Sequence, residues 1–284
     1  MKVAYVIAAH RRLEQLERLI RRLDDAETTF VVHVDLRAGK EPYDELRRRT
    51  ADLANAHYLD RHLGHWGGFG VVRAALKSIR HLVDERVPFD YAALLSGQDY
   101  PLRPPDAIKR SLADAAGASF MAYHSLPFPG WGKRGGLDRV EDFHVIGRIV
   151  LHLRLPRKRH IPGGLQPFGG SRTWFLPREV VEHVDTYVRE NPGYVRFFEH
   201  TLSPSELFFQ TLILNSSFAD SVVNDHRLYL EWRGGSSPAT FTMADLDTLV
   251  ASDALFARKF DAAVDPHVLD ALDAHIESYG AADR

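Results

Sequence analysis

The stretch KVAYVIAAHRRLEQLERLIRRLD, residues 2–24, holds two periodicities in succession. Residues 2–8 are a near-continuous apolar run of strand length, the pattern of a strand buried on both faces. Leu13, Leu16, Ile20 and Leu23 then return at helical spacing across 12–24. A buried strand followed at once by an amphipathic helix opens a β-α-β unit, and the chain repeats the pattern. TFVVHV (29–34) reads as a second strand, 42–54 as a helix, AHYL (56–59) as a short strand, 68–86 as a strongly amphipathic helix and YAALL (91–95) as a fourth strand. The series predicts an α/β fold whose mainly parallel sheet is covered by helices on both faces.

Ligands of such sheets gather beyond the carboxyl ends of the strands. His10 stands there after the first strand, Asp35 and Arg37 after the second, His65, Trp66, Gly67 and Gly68 after the third, and Ser96, Gly97, Gln98 and Asp99 after the fourth. Neither G-x-G-x-x-G nor G-x-x-x-x-G-K-[ST] follows the first strand, which argues against dinucleotide enzymes and P-loop NTPases.

The 284 residues, 45% hydrophobic and 26% charged, suffice to bury one large core. Lysines and arginines total 36 against 38 acidic residues, so the net charge of -2 gives no global attraction for nucleic acid and any anion site must be local. Cysteine is absent, which excludes disulfides and thiolate chemistry. The first apolar segment, about seven residues, is too short for a signal-peptide core or a membrane span, and no later stretch approaches the ~18 residues a span needs. A cytoplasmic protein is expected.

In the second half, 124–170 reads as Pro-, Gly- and Trp-bearing surface loops over a cleft. Its basic cluster, Arg154, Arg157, Lys158, Arg159 and His160, fits a solvated loop or a contact with an anionic acceptor or membrane surface, so 154–160 is the candidate for peripheral membrane contact. A strand over 172–176, a helix over 178–191, a strand over 227–232 and a helix starting near Thr242 follow. Between them lies TLSPSELFFQTLILNS (201–216), where Glu206 heads an apolar run with no basic residue nearby in sequence. One reading is structural: Ser203 as N-cap, Pro204 at the first helical position and Glu206 closing a capping box, worth about 1 kcal/mol.

Seven segments, in order, carry a second reading: FVVHVDLR (30–37), HWGGFGVVRAAL (65–76), YAALLSGQDYPLR (91–103), FGGSRTWFLPREVVEHV (168–184), TLSPSELFFQTLILNS (201–216), LYLEWRGGSSPATFTMADL (228–246) and LFARKFD (255–261). Together they resemble the core 2/I-branching glycosyltransferases, glycosyltransferase family 14, and within them the peptide O-xylosyltransferase branch. A bacterial-type soluble member is expected, without the membrane anchor and cysteines of the eukaryotic relatives. The resemblance implies a single GT-A type catalytic domain over 1–284, Rossmann-like, with a nucleotide-binding half (1–123) and an acceptor and catalytic half (124–284). It implies an inverting transfer of N-acetylglucosamine or xylose from a UDP-sugar to an acceptor hydroxyl in β linkage.

Glu206 matches the family's general base, which suits chemistry needing one base within reach of the attacking hydroxyl. No Asp-x-Asp metal triplet follows the second strand, where Asp35 precedes Leu36 and Arg37, and the family typically works without metal; no cofactor is expected. Arg258 and Lys259 would supply the counter-charges for the departing diphosphate. Asp35 matches a uridine contact, with His10 and Arg37 beside it; Trp66 and Gly67 match positions near the donor sugar. Asp99 would shape the cleft floor, and Ser236 and Ser237 lie in a loop suited to diphosphate or acceptor. In the xylosyltransferases an Asp-Trp pair contacts the donor sugar where this chain has Arg172 and Thr173, which leaves UDP-xylose and UDP-N-acetylglucosamine both open. Lys133, Arg134, Arg139, Trp232 and Arg233 are acceptor-side candidates, for a glycan, lipid-linked or small-molecule acceptor. Two alternatives stand beside this reading. One is a metal-dependent hydrolase built on His10, His33, Asp35, His62, His65 and Asp99; the other is a protein that binds a nucleotide sugar or glycan without turning it over.

Overall fold

The computed structural model describes residues 1–147, 149–153, 158–235 and 237–282. Strand β1 (Val3–Ala9), helix α1 (Leu13–Leu23), β2 (Thr28–Val34), α2 (Glu41–Arg49), β3 (Ala56–Tyr58), α3 (Gly70–Asp84) and β4 (Tyr91–Ser96) follow the sequence periodicity, except that α2 ends at Arg49, five residues short of the expected 54. After β5 (Asp99–Pro101), α4 (Pro105–Asp114) and β6 (Ser119–Ser125) come α5 (Leu137–Glu141) and a hairpin of β7 (Phe143–Ile146) and β8 (Val150–Leu153). The chain continues through β9 (Phe168–Pro177), α6 (Arg178–Glu190), α7 (Pro192–Phe198) and α8 (Phe208–Leu214). It closes with β10 (Val222–Val223), β11 (Leu228–Leu230), α9 (Leu246–Ala251), β12 (Phe256–Arg258) and α10 (His267–Ala282). None of the described helices is long and apolar enough to cross a membrane.

Contacts divide the chain into two units, each assembled from separated stretches: Met1–Arg61, Phe89–Gly117 and Arg227–Arg284 form the first, His62–Pro88 and Ala118–His226 the second. In the first unit β4, β1, β2 and β3 lie side by side, all parallel, with Val3 level with Thr28 on one side and Tyr91 on the other. The apolar stripe of α1 (Leu13, Leu16, Leu19, Ile20 and Leu23) is buried, as an amphipathic helix docked on such a sheet requires. Gln15 is buried within the same helix and bonds the carbonyls of Gly97 and Phe260 while accepting from the Ala262 amide. That one side chain ties α1 to the loop after β4 and to the segment after β12. A small sheet, β11-β12-β5, sets Arg258 level with Asp99. Helix α10 is held to α1 by Arg18 on Asp270 and Asp273 and by Arg22 on Asp273 and Glu277.

In the second unit β6 pairs antiparallel with β9 and parallel with β10. Its core is aromatic: Tyr194, Phe198 and Phe208 lie with ring centroids 4.8 to 5.2 Å apart, and Trp174 meets Phe209 at 5.4 Å. Tyr194 donates its hydroxyl to the Phe208 carbonyl at 2.7 Å, which satisfies the phenol's polar atom inside the cluster. The apolar run after Glu206 is therefore the wall of this core.

Four expectations change in detail. The stretch 124–170 is not loop alone, since it holds α5 and the β7–β8 hairpin. β9 begins at Phe168, four residues before the expected start, because Gly169 and Gly170 belong to the strand rather than to a turn. Ser203 is not an N-cap: it is left-handed (φ 51), makes no side-chain cap, and a short 3-10 turn Pro204–Glu206 precedes α8. The capping box occurs instead at Thr242 and Asp245, where the helix near Thr242 was expected. Arg154 and Arg157 of the basic cluster, and Ser236, lie outside the described residues.

Candidate active site

The first unit gathers three of the four polar strand ends. The Asp35 amide bonds the Ala9 carbonyl at 2.8 Å, joining the ends of β1 and β2, and a Cβ on Gly97 would stand 3.1 Å from that of Ala9. Asp35 is buried, and its carboxylate accepts from the Arg37 amide (2.8 Å) and guanidinium (2.9 and 3.0 Å). That ion pair raises the Arg37 pKa further above its ordinary value. Arg61 secures the same turn from behind by donating to the carbonyls of Val34, Asp35 and Gly39. His10 is exposed at the neighbouring tip.

Asp99 has no exposed surface. Its carboxylate receives the Ser96 amide at 2.7 Å, the Ser96 hydroxyl at 2.8 Å and Arg258 Nη1 at 2.8 Å; Arg258 also bonds Ser96 Oγ. Asp99 thus orients Arg258 rather than presenting itself to a ligand. Lys259 follows, exposed enough to donate to Ser237 Oγ at 2.9 Å. Burial, then the nearby charges of Arg258 and Arg11, depress the Lys259 pKa below the ordinary lysine value. Arg12 bonds Asp261 at 2.7 Å, and Arg11 lies 3.7 Å from the same carboxylate. Burial opposes ionisation of Asp261, yet the Ala263 amide and the Arg12 guanidinium hold its carboxyl below the usual range. Four cations, Arg11, Arg12, Arg258 and Lys259, therefore stand beside two carboxylates, Asp99 and Asp261, and the surplus is positive. Arg11 and Arg12 were not among the residues singled out from sequence; the signal was their place beside His10, immediately after the first strand.

The second unit holds Glu206. Its turn is fixed by the Ser203 amide on the Gly67 carbonyl at 2.7 Å, which also anchors the loop carrying Trp66. Gly67 has φ +72, and a Cβ there would stand 3.2 Å from Leu202 Cδ1, so both backbone and space call for glycine. Trp66 is 77% exposed, a flat apolar face offered to solvent. The Glu206 side chain, 41% exposed, meets a cation after all: Arg139 Nη1 donates to its Oε2 at 2.7 Å. The Arg139 guanidinium lies 4.0 Å from the ring centre of Trp131.

Other candidates are occupied differently. Arg134 pairs with Glu141 and Asp142, and Arg233 with Glu231 and Asp245. Lys133 and Trp232 are exposed, and Arg172 lies half-buried in β9. In the basic cluster, Lys158 pairs with Glu141 and Arg159 is half-buried, donating to the carbonyls of Asp142, His200 and Phe197. Arg159 is thereby a structural tie rather than a surface charge. Among the described residues no group of three or more His, Asp or Glu is placed to hold a metal ion.

The first unit thus carries a parallel β-α-β sheet with a cationic cluster beyond its strand ends, and the second a carboxylate at the head of an apolar helix. The Core-2/I-Branching enzyme family matches residues 3–250, and the chain belongs to that family. Rat xylosyltransferase 2 is 30% identical over 309 residues, covering 99% of this chain and 34% of the rat protein. Rat xylosyltransferase 1 is 26% identical over 308 residues, covering 97% of this chain and 35% of that protein. The chain thus spans about a third of the length of these curated relatives. Among solved structures, mouse xyloside xylosyltransferase 1 in its apo form shares 10% identity and a TM-score of 0.37 over 89% of this chain and 97% of that one. TarS 1-349 of S. aureus shares 15% identity and a TM-score of 0.40 over 79% and 58%.

Proposed function

We propose that the chain transfers a sugar from a UDP-sugar to an acceptor hydroxyl with inversion, giving a β linkage, and that it does so without a metal. Glu206 is the general base and takes the proton of the attacking hydroxyl. As the new bond forms at the anomeric carbon, the bond to the diphosphate breaks on the opposite face and its electron pair stays with UDP. Arg258 and Lys259 meet that charge; Asp99 and Ser96 orient the first, and Arg11 extends the cationic surface. Asp35 with Arg37 and His10 are proposed for uridine, Ser237 for the diphosphate, and Trp66, Gly67 and Arg172 for the sugar. Lys133 and Trp232 are proposed for the acceptor.

The observation that carries this reading is the under-compensated cluster at 258–261. Four cations against two carboxylates, with a lysine whose charged form is disfavoured, is a state that a bound diphosphate relieves. The metal-dependent hydrolase alternative lacks a group of three ligands to rest on among the described residues, and two of its carboxylates, Asp35 and Asp99, are taken by arginines. The names of the relatives support xylose as the donor sugar, whereas Arg172 and Thr173 keep N-acetylglucosamine open. A screen of UDP-sugars for UDP release, with and without EDTA, tests the whole reading. Turnover that chelation leaves unchanged is expected. Turnover abolished by EDTA and restored by a divalent ion would overturn metal independence, and no release from any donor would overturn the transferase.

A further inference from the structure

We infer that Arg139 is a positioning residue for Glu206, itself locked by Trp131, and not an acceptor contact; this rests on Glu206 being the base. Glu206 sits in a 3-10 turn with no cap from its own helix, and the carboxylate is 41% exposed. A glutamate so placed has three side-chain torsions to lose before it can act as a base, an entropic cost that is removed if something fixes it beforehand. Arg139 fixes it. Its Nη1 holds Oε2 at 2.7 Å, while the backbone carbonyl of the same residue accepts the Leu202 amide at 3.2 Å, four residues before Glu206. Side chain and backbone of one arginine therefore register the turn and the carboxylate together. Oε1 carries no hydrogen bond from the described residues, so it is the oxygen that takes the proton.

The guanidinium is fixed in its turn. Trp131 lies under it at 4.0 Å, a cation-π contact. The indole is wedged by two glycines, since a Cβ on Gly169 would stand 2.4 Å from Trp131 Cη2 and one on Gly136 2.7 Å from Cε3. His124 meets the indole edge-on at 4.4 Å and stacks on Phe128 at 4.0 Å. The relay Gly169–Trp131–Arg139–Glu206 runs entirely within the second unit, and each link is a contact that a smaller or flexible residue would loosen. A lysine keeps the charge at 139 but neither the planar stacking surface nor the fork geometry.

The test is a double-mutant cycle read by kcat, acceptor KM and calorimetric UDP affinity. Arg139→Gln is expected to lower kcat roughly 10- to 100-fold, the order of loss that a misplaced catalytic group causes, with acceptor KM and UDP affinity within about twofold of wild type. Arg139→Lys should recover part of the loss, Trp131→Leu should lose several-fold and Trp131→Phe less. In a Glu206→Gln background, Arg139→Gln should add less than about a twofold further loss, because it acts through the side chain already removed. A rise in acceptor KM of the same size in both backgrounds would mean that Arg139 binds acceptor, and the inference would be overturned while Glu206 kept its role. An unchanged kcat for Arg139→Gln would overturn it likewise. Glu206→Gln with wild-type kcat, or no turnover of any UDP-sugar, would overturn the base and the inference together.

Discussion

At Lys259 the ammonium is pressed by burial, by Arg258 and by Arg11 below the ordinary lysine pKa. A bound diphosphate favours the charged form, so the pKa must be higher in the complex than in the free protein. UDP affinity is then full below the free-state pKa and falls as pH climbs from that value toward the bound one. Calorimetry across alkaline pH should show the decline, and Lys259→Ala should flatten it. Arg258→Ala and Lys259→Ala should each weaken UDP roughly ten- to hundredfold, the range for a charge-assisted hydrogen bond, and weaken uridine less than about twofold. Equal losses for both ligands would show that the pair does not meet phosphate. Asp99 belongs to this same side-chain group although it is wholly buried: it acts by aiming Arg258, and no sequence pattern separates an aiming carboxylate from a binding one.

Among the elements, β9 is the most constrained. A Cβ on Gly170 would stand 1.9 Å from the Ala122 carbonyl oxygen, and backbone cannot yield as a flexible side chain does. Gly170→Ala should therefore cost at least about 3 kcal/mol of unfolding free energy, measured by urea denaturation; a loss below about 1 kcal/mol would show that β6 and β9 can part there. Gly169 and Gly170 also hide the first four residues of β9 in the sequence, since Gly-Gly signals a turn unless a neighbouring strand is known to press against it. The β-α-β series was legible because buried strands and amphipathic helices impose different periods on the chain. At Glu206 the local pattern misled: S-P-S-E has the form of a capping box, yet Ser203 is left-handed and the carboxylate turns to Arg139, 67 residues away in sequence. Such a partner is set by tertiary packing and leaves no local mark.

For the molecule as a whole, three histidines set the response to acid. Burial lowers the pKa of His124, with Arg139 adding to the effect, and burial likewise lowers those of His183 and His275 from the ordinary 6.5. The unfolded chain then binds more protons than the folded one below about pH 6.5, so stability is fully present above that value and is lost as pH falls toward the folded-state pKa values. A lower melting temperature at pH 5.5 than at pH 7.5 is expected, and His124→Phe, which keeps the stack on Phe128, should reduce the difference. The carboxylates of Asp25, Asp245 and Asp261, all held below their ordinary values, add losses of the same sign at still lower pH. Above this background of stability stands the chemistry of one carboxylate. Glu206→Gln, assayed for sugar transfer alongside calorimetric UDP binding, is the most direct measurement: kcat should fall by roughly 10² to 10⁴, the size of a general-base contribution, with UDP affinity unchanged. Transfer at the wild-type rate by Glu206→Gln would contradict the account.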